Sequence, residues 1–371
     1  MRILVVCTDA EIGGAERFLA SWGRSRPRHD TVHLVVLMGP GSLSEQLENS
    51  FDTVHYLGFP PSSRNLLGMV RSLEGEIQRF QPDVISSHLF HADLVVALAR
   101  TTAPKISTVH TQKLSTDDHW LTRAIARAVG ILSRRFAAVV PASDSSDMAR
   151  FLADLRMQHV VDPIPNGAQV PSTAAFDASA RTFVSIARNH PVKGHRVLFA
   201  AFAKIADEAP EWTLEAFGPG VTPEDDAMLA ALSDAGALHL VEAGRIRLSG
   251  PTANPETALS RSAALIISSV YGEAFPIVGA EAAGLGIPVI SSDLGSCSEF
   301  CDDPQFLVPP NDVPALAAAM RRFVALSEDE RSDLSRRARA RAEARYHPDV
   351  AYARYRQVFE RLLASGDGGS Q

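Results

Sequence analysis

The sequence predicts an α/β protein of two domains, each a parallel sheet with helices on both faces. Three observations carry this. At 371 residues the chain is too long for one hydrophobic core and suits two domains of roughly 150–200 residues. Short apolar runs alternate with segments of helical periodicity along almost its whole length, the pattern of repeated βα units. The alternation breaks at HVVDPIPNGAQVPSTAAFDASA (His159–Ala180), rich in Pro, Gly and small polar residues, and then restarts, which marks a junction.

In the first half, ILVVC (Ile3–Cys7) reads as a strand, followed by a glycine-bearing loop and the helix AERFLASWG. HLVVLM (His33–Met38) and TVHYLGF (Thr53–Phe59) are strands, and LLGMVRSLEGEIQRF is a helix that stops before Pro82, since proline cannot continue it. DVISSH (Asp83–His88) is a strand, HADLVVALARTTA a helix, KISTVHT (Lys105–Thr111) a strand, WLTRAIARAVGILSRRF an amphipathic helix and AAVVPAS (Ala137–Ser143) a strand. The second half opens with the strand RTFVSIAR and the helix HRVLFAAFAKIADEAP, then WTLEAFG, MLAALSDAG, GRIRLSG and PETALSRS as strand, helix, strand and helix. ALIISSV, PIVGAEAAGLG and PVISSD give strand, helix, strand, and FLVPPND leads into the helix VPALAAAMRRFVALS. The expected division is 1–165, 166–345 and 346–371, the last a helix over Tyr346–Leu363 packing back on the first domain, with a flexible tail SGDGGSQ.

The net charge of −7, with no basic block outside an arginine-rich stretch near the C-terminus, argues against nucleic acid as a partner. No apolar run approaches the roughly 18 residues of a membrane span, and the start MRILVVCTDAEIGG lacks the features of a signal peptide. Cys7, Cys297 and Cys301 are too few for a disulfide framework and fit a reduced, cytoplasmic setting. LTRAIARAVGILSRRF (Leu121–Phe136) interleaves arginine with apolar residues. That suits peripheral contact with the inner membrane face, but packing on the first sheet is the favoured reading. RRARARAEAR (Arg336–Arg345) reads as a solvated helix face.

The stretch GEAFPIVGAEAAGLGIPVISSD (Gly272–Asp293) puts Glu273 and Glu281 eight positions apart in otherwise packing-like sequence. Pro276 suits the first turn of a helix and Gly284 and Gly286 suit its end, so the helix is expected over about Phe275–Gly284. Its N-terminus, at the carboxyl end of a strand, favours an anion, and carboxylates nearby can accept hydrogen bonds from hydroxyls on either side of a phosphate. Arg188 and Lys193, in RNHPVKGH after the strand TFVSIA, supply two cations where a diphosphate would gain charge on leaving. Gly13 and Gly14 follow the first strand and let the backbone approach a ligand closely. They do not form G-x-G-x-x-G, so a dehydrogenase is not expected.

Glu273 to Glu281, with Ala282, Ala283, Gly284 and PVISSD after it, resembles the E-x7-E motif of retaining GT-B glycosyltransferases of family 4 type, and the resemblance extends over nearly the whole chain. It implies two Rossmann-like domains facing each other across a cleft. It also implies a catalytic set of Arg188, Lys193, Glu273 and His110, with Glu273 on the donor sugar's hydroxyls and His110 orienting that sugar. Backbone amides around Phe275, Pro276 and Ile277 would hold the diphosphate, Glu281 the ribose, Gly13 and Gly14 would close over the donor, and Gly218 and Arg247 would lie beside the nucleotide. His88 is placed on the acceptor side, with helix capping or packing as its other reading. Asn166 matches a linker motif, though its Asn-Gly pair is also an ordinary turn; Glu299 is read as structural. Gly279 departs from the family, which usually has a larger residue there.

No cofactor or metal is expected. The chain has no D-x-D, Asp117-Asp118, Asp225-Asp226 and Asp302-Asp303 sit in polar loops, His190 and His195 lack carboxylate companions, and Cys297 and Cys301 read as packing residues. The implied reaction moves a sugar, with retention, from a nucleotide-sugar donor to a hydroxyl of a glycan, lipid-linked or small-molecule acceptor. UDP is the nucleotide expected from frequency in the family rather than from any residue. A nucleotide-sugar epimerase or hydrolase of the same architecture, and a non-catalytic nucleotide-sugar-binding subunit, stay open as alternatives.

Overall fold

The computed structural model describes residues 1–114, 120–168, 170, 171, 173–252, 254–273, 275–301 and 303–366. Asp117, Asp118, Asp302 and the tail from residue 367 onward lie outside these residues. The chain divides into two compact units: Met1–Ala168 with His347–Gln371, and Gln169–Tyr346.

The first unit contains strands β1 (Arg2–Cys7), β2 (Thr31–Val36), β3 (Thr53–Tyr56), β4 (Val84–His88), β5 (Lys105–Val109) and β6 (Ala138–Pro141). Its helices are α1 (Gly14–Arg24), α2 (Ser44–Glu48), α3 (Leu66–Phe80), α4 (Phe90–Leu98), α5 (Trp120–Leu132) and α6 (Ser146–Asp154). All strand pairs are parallel, in the order β3-β2-β1-β4-β5-β6. Ile3 to Cys7 are each at most 1% exposed, because a central parallel strand is covered on both faces and therefore reads as an unbroken apolar run. The order reverses direction between β1 and β4, the crevice where open α/β sheets bind ligands beyond the strands' carboxyl ends.

The second unit repeats the plan with β7 (Thr182–Ile186), β8 (Thr213–Phe217), β9 (Ile246–Leu248), β10 (Ala264–Ile267), β11 (Val289–Ser292) and β12 (Leu307–Val308). Its helices are α7 (His195–Ala203), α8 (Asp226–Asp234), α9 (Leu238–Glu242), α10 (Pro255–Ser260), α11 (Ile277–Leu285), α12 (Val313–Ala325) and α13 (Glu328–Arg345). The strand order β12-β11-β10-β7-β8-β9 is the same winding as in the first unit, with its switch point between β7 and β10. Stacked Phe183 and Trp212 (centroids 4.7 Å apart) and Phe323 set edge-on to Trp212 fill its core.

The last helix, α14 (Pro348–Gly366), is fastened to the first unit by its own polar tips. Tyr352 Oη donates to Asp30 (2.9 Å) and Tyr355 Oη to Thr108 Oγ1 (3.2 Å), while Tyr352 packs on Trp22 with ring centroids 4.7 Å apart.

Three expectations change. The arginine-rich stretch of α13 is not simply solvated. Ala338 and Ala342 are buried, and Arg339 donates to the Gly284 and Pro171 carbonyls (2.5 Å each). Arg341 donates to the Glu299 carbonyl, and Arg345 pairs with the Glu299 carboxylate at 2.9 Å. Arg336 and Arg337 keep to the exposed side, paired with Asp333. The periodicity of small alanines between arginines buries one face and leaves long side chains to cap carbonyls at its rim. Second, Pro276 is the N-cap of α11 rather than a first-turn residue: its ψ of 102° is extended, so the helix begins at Ile277 and closes at Gly286, whose φ is +77°. Third, short helices α2, α6 and α9 occupy stretches with no helix assigned from sequence.

Gly279 now has a physical reason. A Cβ at this position would lie 2.6 Å from Cδ2 of the Phe300 ring, so the aromatic side chain fills the volume that a larger residue would take. Gly279→Leu is therefore expected to destabilise the protein by about 1–3 kcal/mol through overpacking. Phe300→Ala should then cost clearly less when it is added to Gly279→Leu than when it is made alone. Urea unfolding of the native protein, the two single variants and the double variant tests this, and strictly additive costs would refute the contact's role.

Candidate active site

In the second unit, the loops after β7 and β10 meet at the switch point. The β7 loop carries Arg188, His190, the single turn Pro191–Lys193 and Gly194. Gly194 has φ +65°, and a Cβ there would collide with the Ser268 carbonyl, so only glycine lets this loop close on the end of β10. The closure is sealed by Ser268 Oγ donating to the Lys193 carbonyl (2.9 Å) and by the Val270 N–H donating to the Val192 carbonyl (2.8 Å). His195 is 5% exposed and its Nε2–H donates to the Arg188 carbonyl at 3.2 Å, which fixes the backbone under Arg188 while that residue itself stays exposed.

The Lys193 ammonium donates to Glu273 Oε1, and Ser269 Oγ donates to the same oxygen at 2.7 Å. Glu273 is 7% exposed. Burial pushes its carboxyl up, but the Lys193 charge and hydrogen bond, Ser269 and the charge of Arg188 outweigh this and hold it below the usual carboxylate range. The sequence-expected trio Arg188, Lys193 and Glu273 is thus brought together. α11 follows directly; its first N–H groups have no partners within the helix by construction and present an anion-favouring end. Phe275, Pro276 and Ile277 are buried, with Phe275 edge-on to Phe300 and Tyr346. Their side chains are packing groups, and of the three only Phe275 and Ile277 have an amide N–H to offer. Glu281 lies one turn into α11 and is partly exposed.

Gly218 follows β8 with φ +149°, and a Cβ there would stand 3.0 Å from the Arg188 nitrogen; the missing side chain lets this turn approach the β7 loop. Arg247 is exposed on β9, the edge strand, two strands from β7, and the structure does not gather it into the Lys193–Glu273 cluster. Glu299 serves structure: its carboxylate takes Arg345 and the Tyr346 hydroxyl (3.1 Å). Cys297 and Cys301 are buried thiols, and no metal-holding group of His, Cys, Asp and Glu occurs among the described residues.

In the first unit, Gly13 is the N-cap of α1 and Gly14 its first residue, at the carboxyl end of β1. A Cβ at Gly13 would run into the Glu16 carboxylate, so the chain's own acid lies against this turn. Glu16 is 6% exposed, and burial, with Asp9 adding to it, pushes its carboxyl up to about 7. His110 stands one residue past β5, which ends at Val109 rather than at Thr111. His88, the last residue of β4, is 2% exposed and its Nδ1 is 2.9 Å from His110 Nε2. That enclosure removes His88 from an acceptor-lining place and makes it the neighbour behind His110. Asn166 is 3% exposed, more enclosed than a surface turn needs.

Sequence reasoning missed Gly194, Ser268, Ser269 and Glu16. The Ser-Ser pair at the end of an apolar strand and the glycine directly after Lys193 were the available signals; Glu16, in GGAER, carried no signal of its burial.

Comparison with known proteins accords with this geometry. The model of glycosyl transferases group 1 matches residues 180–325 and that of glycosyltransferase family 4 matches residues 12–170, which together take in most of the chain. A phosphatidyl-myo-inositol mannosyltransferase of Mycolicibacterium smegmatis is 28% identical over 284 residues, 73% of this chain and 69% of that protein. An exopolysaccharide phosphotransferase of Streptomyces coelicolor is 29% identical over 217 residues, 57% of this chain. That match spans only 21% of the Streptomyces protein's length. The Anabaena protein HepE, solved in complex with UDP, superposes with a TM-score of 0.78 at 20% identity, covering 97% of this chain and 100% of its own. The chain belongs to the group 1 glycosyltransferases, with the GT-B fold of two Rossmann-like domains.

The depressed carboxyl of Glu273 sets a pH signature. A carboxylate with a lowered folded-state pKa contributes stability that is present above its unfolded value, roughly 4.3, and is lost as pH falls through the folded value. Between about pH 6 and pH 3 the urea midpoint of the native protein should therefore fall more steeply than that of Glu273→Gln; parallel curves would show that the Lys193 contact adds nothing.

Proposed function

We propose that this glycosyltransferase transfers a hexose or N-acetylhexosamine, with retention of anomeric configuration, from a nucleotide-sugar donor to an acceptor hydroxyl. The observation that carries the reading is the convergence of Arg188, Lys193 and the N-terminus of α11 on one switch point, with the Glu273 carboxylate held among them. In the proposed step the bond from the anomeric carbon to the donor phosphate oxygen breaks and the acceptor oxygen bonds to that carbon on the same face. The acceptor's proton passes to a phosphate oxygen of the leaving diphosphate. Negative charge grows on the diphosphate, and fixed donors aimed at such charge are each worth roughly 3–4 kcal/mol. Glu273 accepts from the sugar's hydroxyls and Glu281 from the ribose, and the role proposed for His110 is to orient that sugar.

A uridine nucleotide is the proposed donor base, supported by HepE having been solved with UDP and with UDP-glucose. A lipid-linked or glycan acceptor is supported by relatives named as mannosyltransferases of phosphatidyl-myo-inositol. No described helix is long and apolar enough to cross a membrane. α5 does present Trp120 and Ile131, 61% and 69% exposed, on the same helical side as exposed Arg127. That side suits peripheral contact with an anionic membrane, and we place the protein in the cytoplasm.

Lys193→Ala and Glu273→Ala are each expected to lower turnover by on the order of a hundredfold or more while far-UV circular dichroism stays native. A folded Lys193→Ala protein with near-normal turnover would overturn the scheme. Because Arg188 and Lys193 supply the charge a divalent ion would otherwise supply, turnover should persist in EDTA; a complete loss restored by Mn2+ would contradict this. Donor consumption should require the acceptor. Thermal shifts with UDP, GDP, ADP and dTDP identify the base, since a ligand at about 100 times its Kd stabilises by about 2.7 kcal/mol.

A further inference from the structure

Behind His110 in the first unit lies a polar chain whose other members, Ser86 and His88, the proposed chemistry does not use. β4 and β5 are adjacent and parallel, with His88 opposite Thr108. Side chains alternate along a strand, so Ser86 and His88 share one face, and His110, two residues beyond Thr108, joins it. The chain runs from Ser86 Oγ to His88 Nε2 (3.2 Å) and from His88 Nδ1 to His110 Nε2 (2.9 Å). Phe18 lies against both imidazoles, with ring centroids 6.2 Å from His88 and 5.8 Å from His110, and Tyr355 of α14 flanks His88 at 6.4 Å. The pair thus has an apolar wall, and its hydrogen-bond partners within the polar chain are neutral groups.

Burial holds both imidazoles below the ordinary histidine range, His110 at about 4. Each neutral ring then carries one proton, and a nitrogen-to-nitrogen contact of 2.9 Å needs one proton between the two atoms. Two arrangements satisfy this. In the first, the Ser86 hydroxyl donates to His88 Nε2, His88 Nδ1–H donates to His110 Nε2, and His110 keeps its own proton on Nδ1. In the second every bond is reversed and His110 Nδ1 is a bare lone pair. Asn166 decides between them. His110 Nδ1 and Asn166 Oδ1 are both buried with no partner at hydrogen-bonding distance, and the Asn166 side chain favours a proton on His110. An amide oxygen attracts an N–H and repels a lone pair, so the unpartnered Asn166 Oδ1 matches the first arrangement, which leaves a proton on His110 Nδ1.

We propose that His88 is a positioning residue: backed by Ser86, it locks His110 in the tautomer that carries its proton on Nδ1. In that tautomer Nε2 is taken by His88 and the Nδ1 proton is enclosed, so what the relay fixes is the orientation and the neutrality of the ring that His110 presents to a ligand. The catalytic consequence rests on the reading of His110 given under Proposed function; the tautomer itself does not. The hydrogen bond made by one ring nitrogen sets what the other presents; partners that orient metal-bound histidines in this way change activity by about tenfold to a hundredfold, and an effect of that order is expected here.

The test is a histidine-selective 15N NMR spectrum of the full chain, read beside turnover. In the native protein His110 should show a protonated Nδ1 and a bare Nε2. In His88→Leu, which cannot donate, the His110 signals should move to a mixture of tautomers and kcat should fall about tenfold to a hundredfold. His88→Asn places an amide N–H near the lost Nδ1–H and should return both His110's tautomer and most of kcat. A His110 spectrum that does not change in folded His88→Leu overturns the proposal, and so does a changed tautomer with unchanged kcat. If the leucine variant does not fold, Ser86→Ala, which removes the far end of the chain, should also mix the two tautomers, and an unmixed spectrum is again contrary. Full turnover in His110→Ala would instead remove His110 from the reaction, a failure distinguishable from that of the relay.

Discussion

The contact between the Lys193 ammonium and the Glu273 carboxylate is the constraint around which the second unit's site is arranged. A buried carboxylate without a partner is costly, and removing one member of such a pair typically costs about 3–5 kcal/mol. The pair therefore ties the loop after β7 to the loop after β10, two strands adjacent in space but 80 residues apart at the contact. The other local features serve that closure. Gly194 allows the approach, Ser268 and Ser269 satisfy a carbonyl and the carboxylate, Gly218 lets the neighbouring turn come close, and His195 holds the backbone beneath Arg188. The result is a concentration of positive charge and oriented amides where parallel sheets bind anions.

The first unit has the same strand order but a different chemistry at its switch point. Burial dominates its titratable groups: Glu16 is pushed up to about 7 and the two histidines are pushed down. Burial without a compensating opposite charge favours the neutral form. One fold plan thus yields a charged crevice in one unit and a neutral, hydrogen-bonding one in the other.

Arginine shows how composition alone misleads. In α13, Arg339 and Arg341 cap carbonyls of Gly284 and Glu299 and brace α11 and the segment Gly295–Phe300 beside the site, whereas Arg336 and Arg337 pair with Asp333 on the surface. The sequence RRARARAEAR does not distinguish them, because the difference lies in which neighbours pack on the alanine face.

The sequence by itself determined the two α/β repeats, the junction region and the acid and cation positions at strand ends. These are local signals: apolar periodicity, Pro and Gly punctuation, and side chains placed by a strand's direction. Strand ends were read up to three residues long, as at Lys105–Thr111 and Thr53–Phe59, because pairing depends on the neighbouring strand's length. Only the tertiary structure decided that Glu273 is enclosed with Lys193 and Ser269, that Gly279 accommodates Phe300, that Arg247 stays on an edge strand, and that His88 stands behind His110. Most of these are contacts between residues far apart in the chain, and burial and hydrogen-bond partners at such distances are set by packing rather than by local pattern.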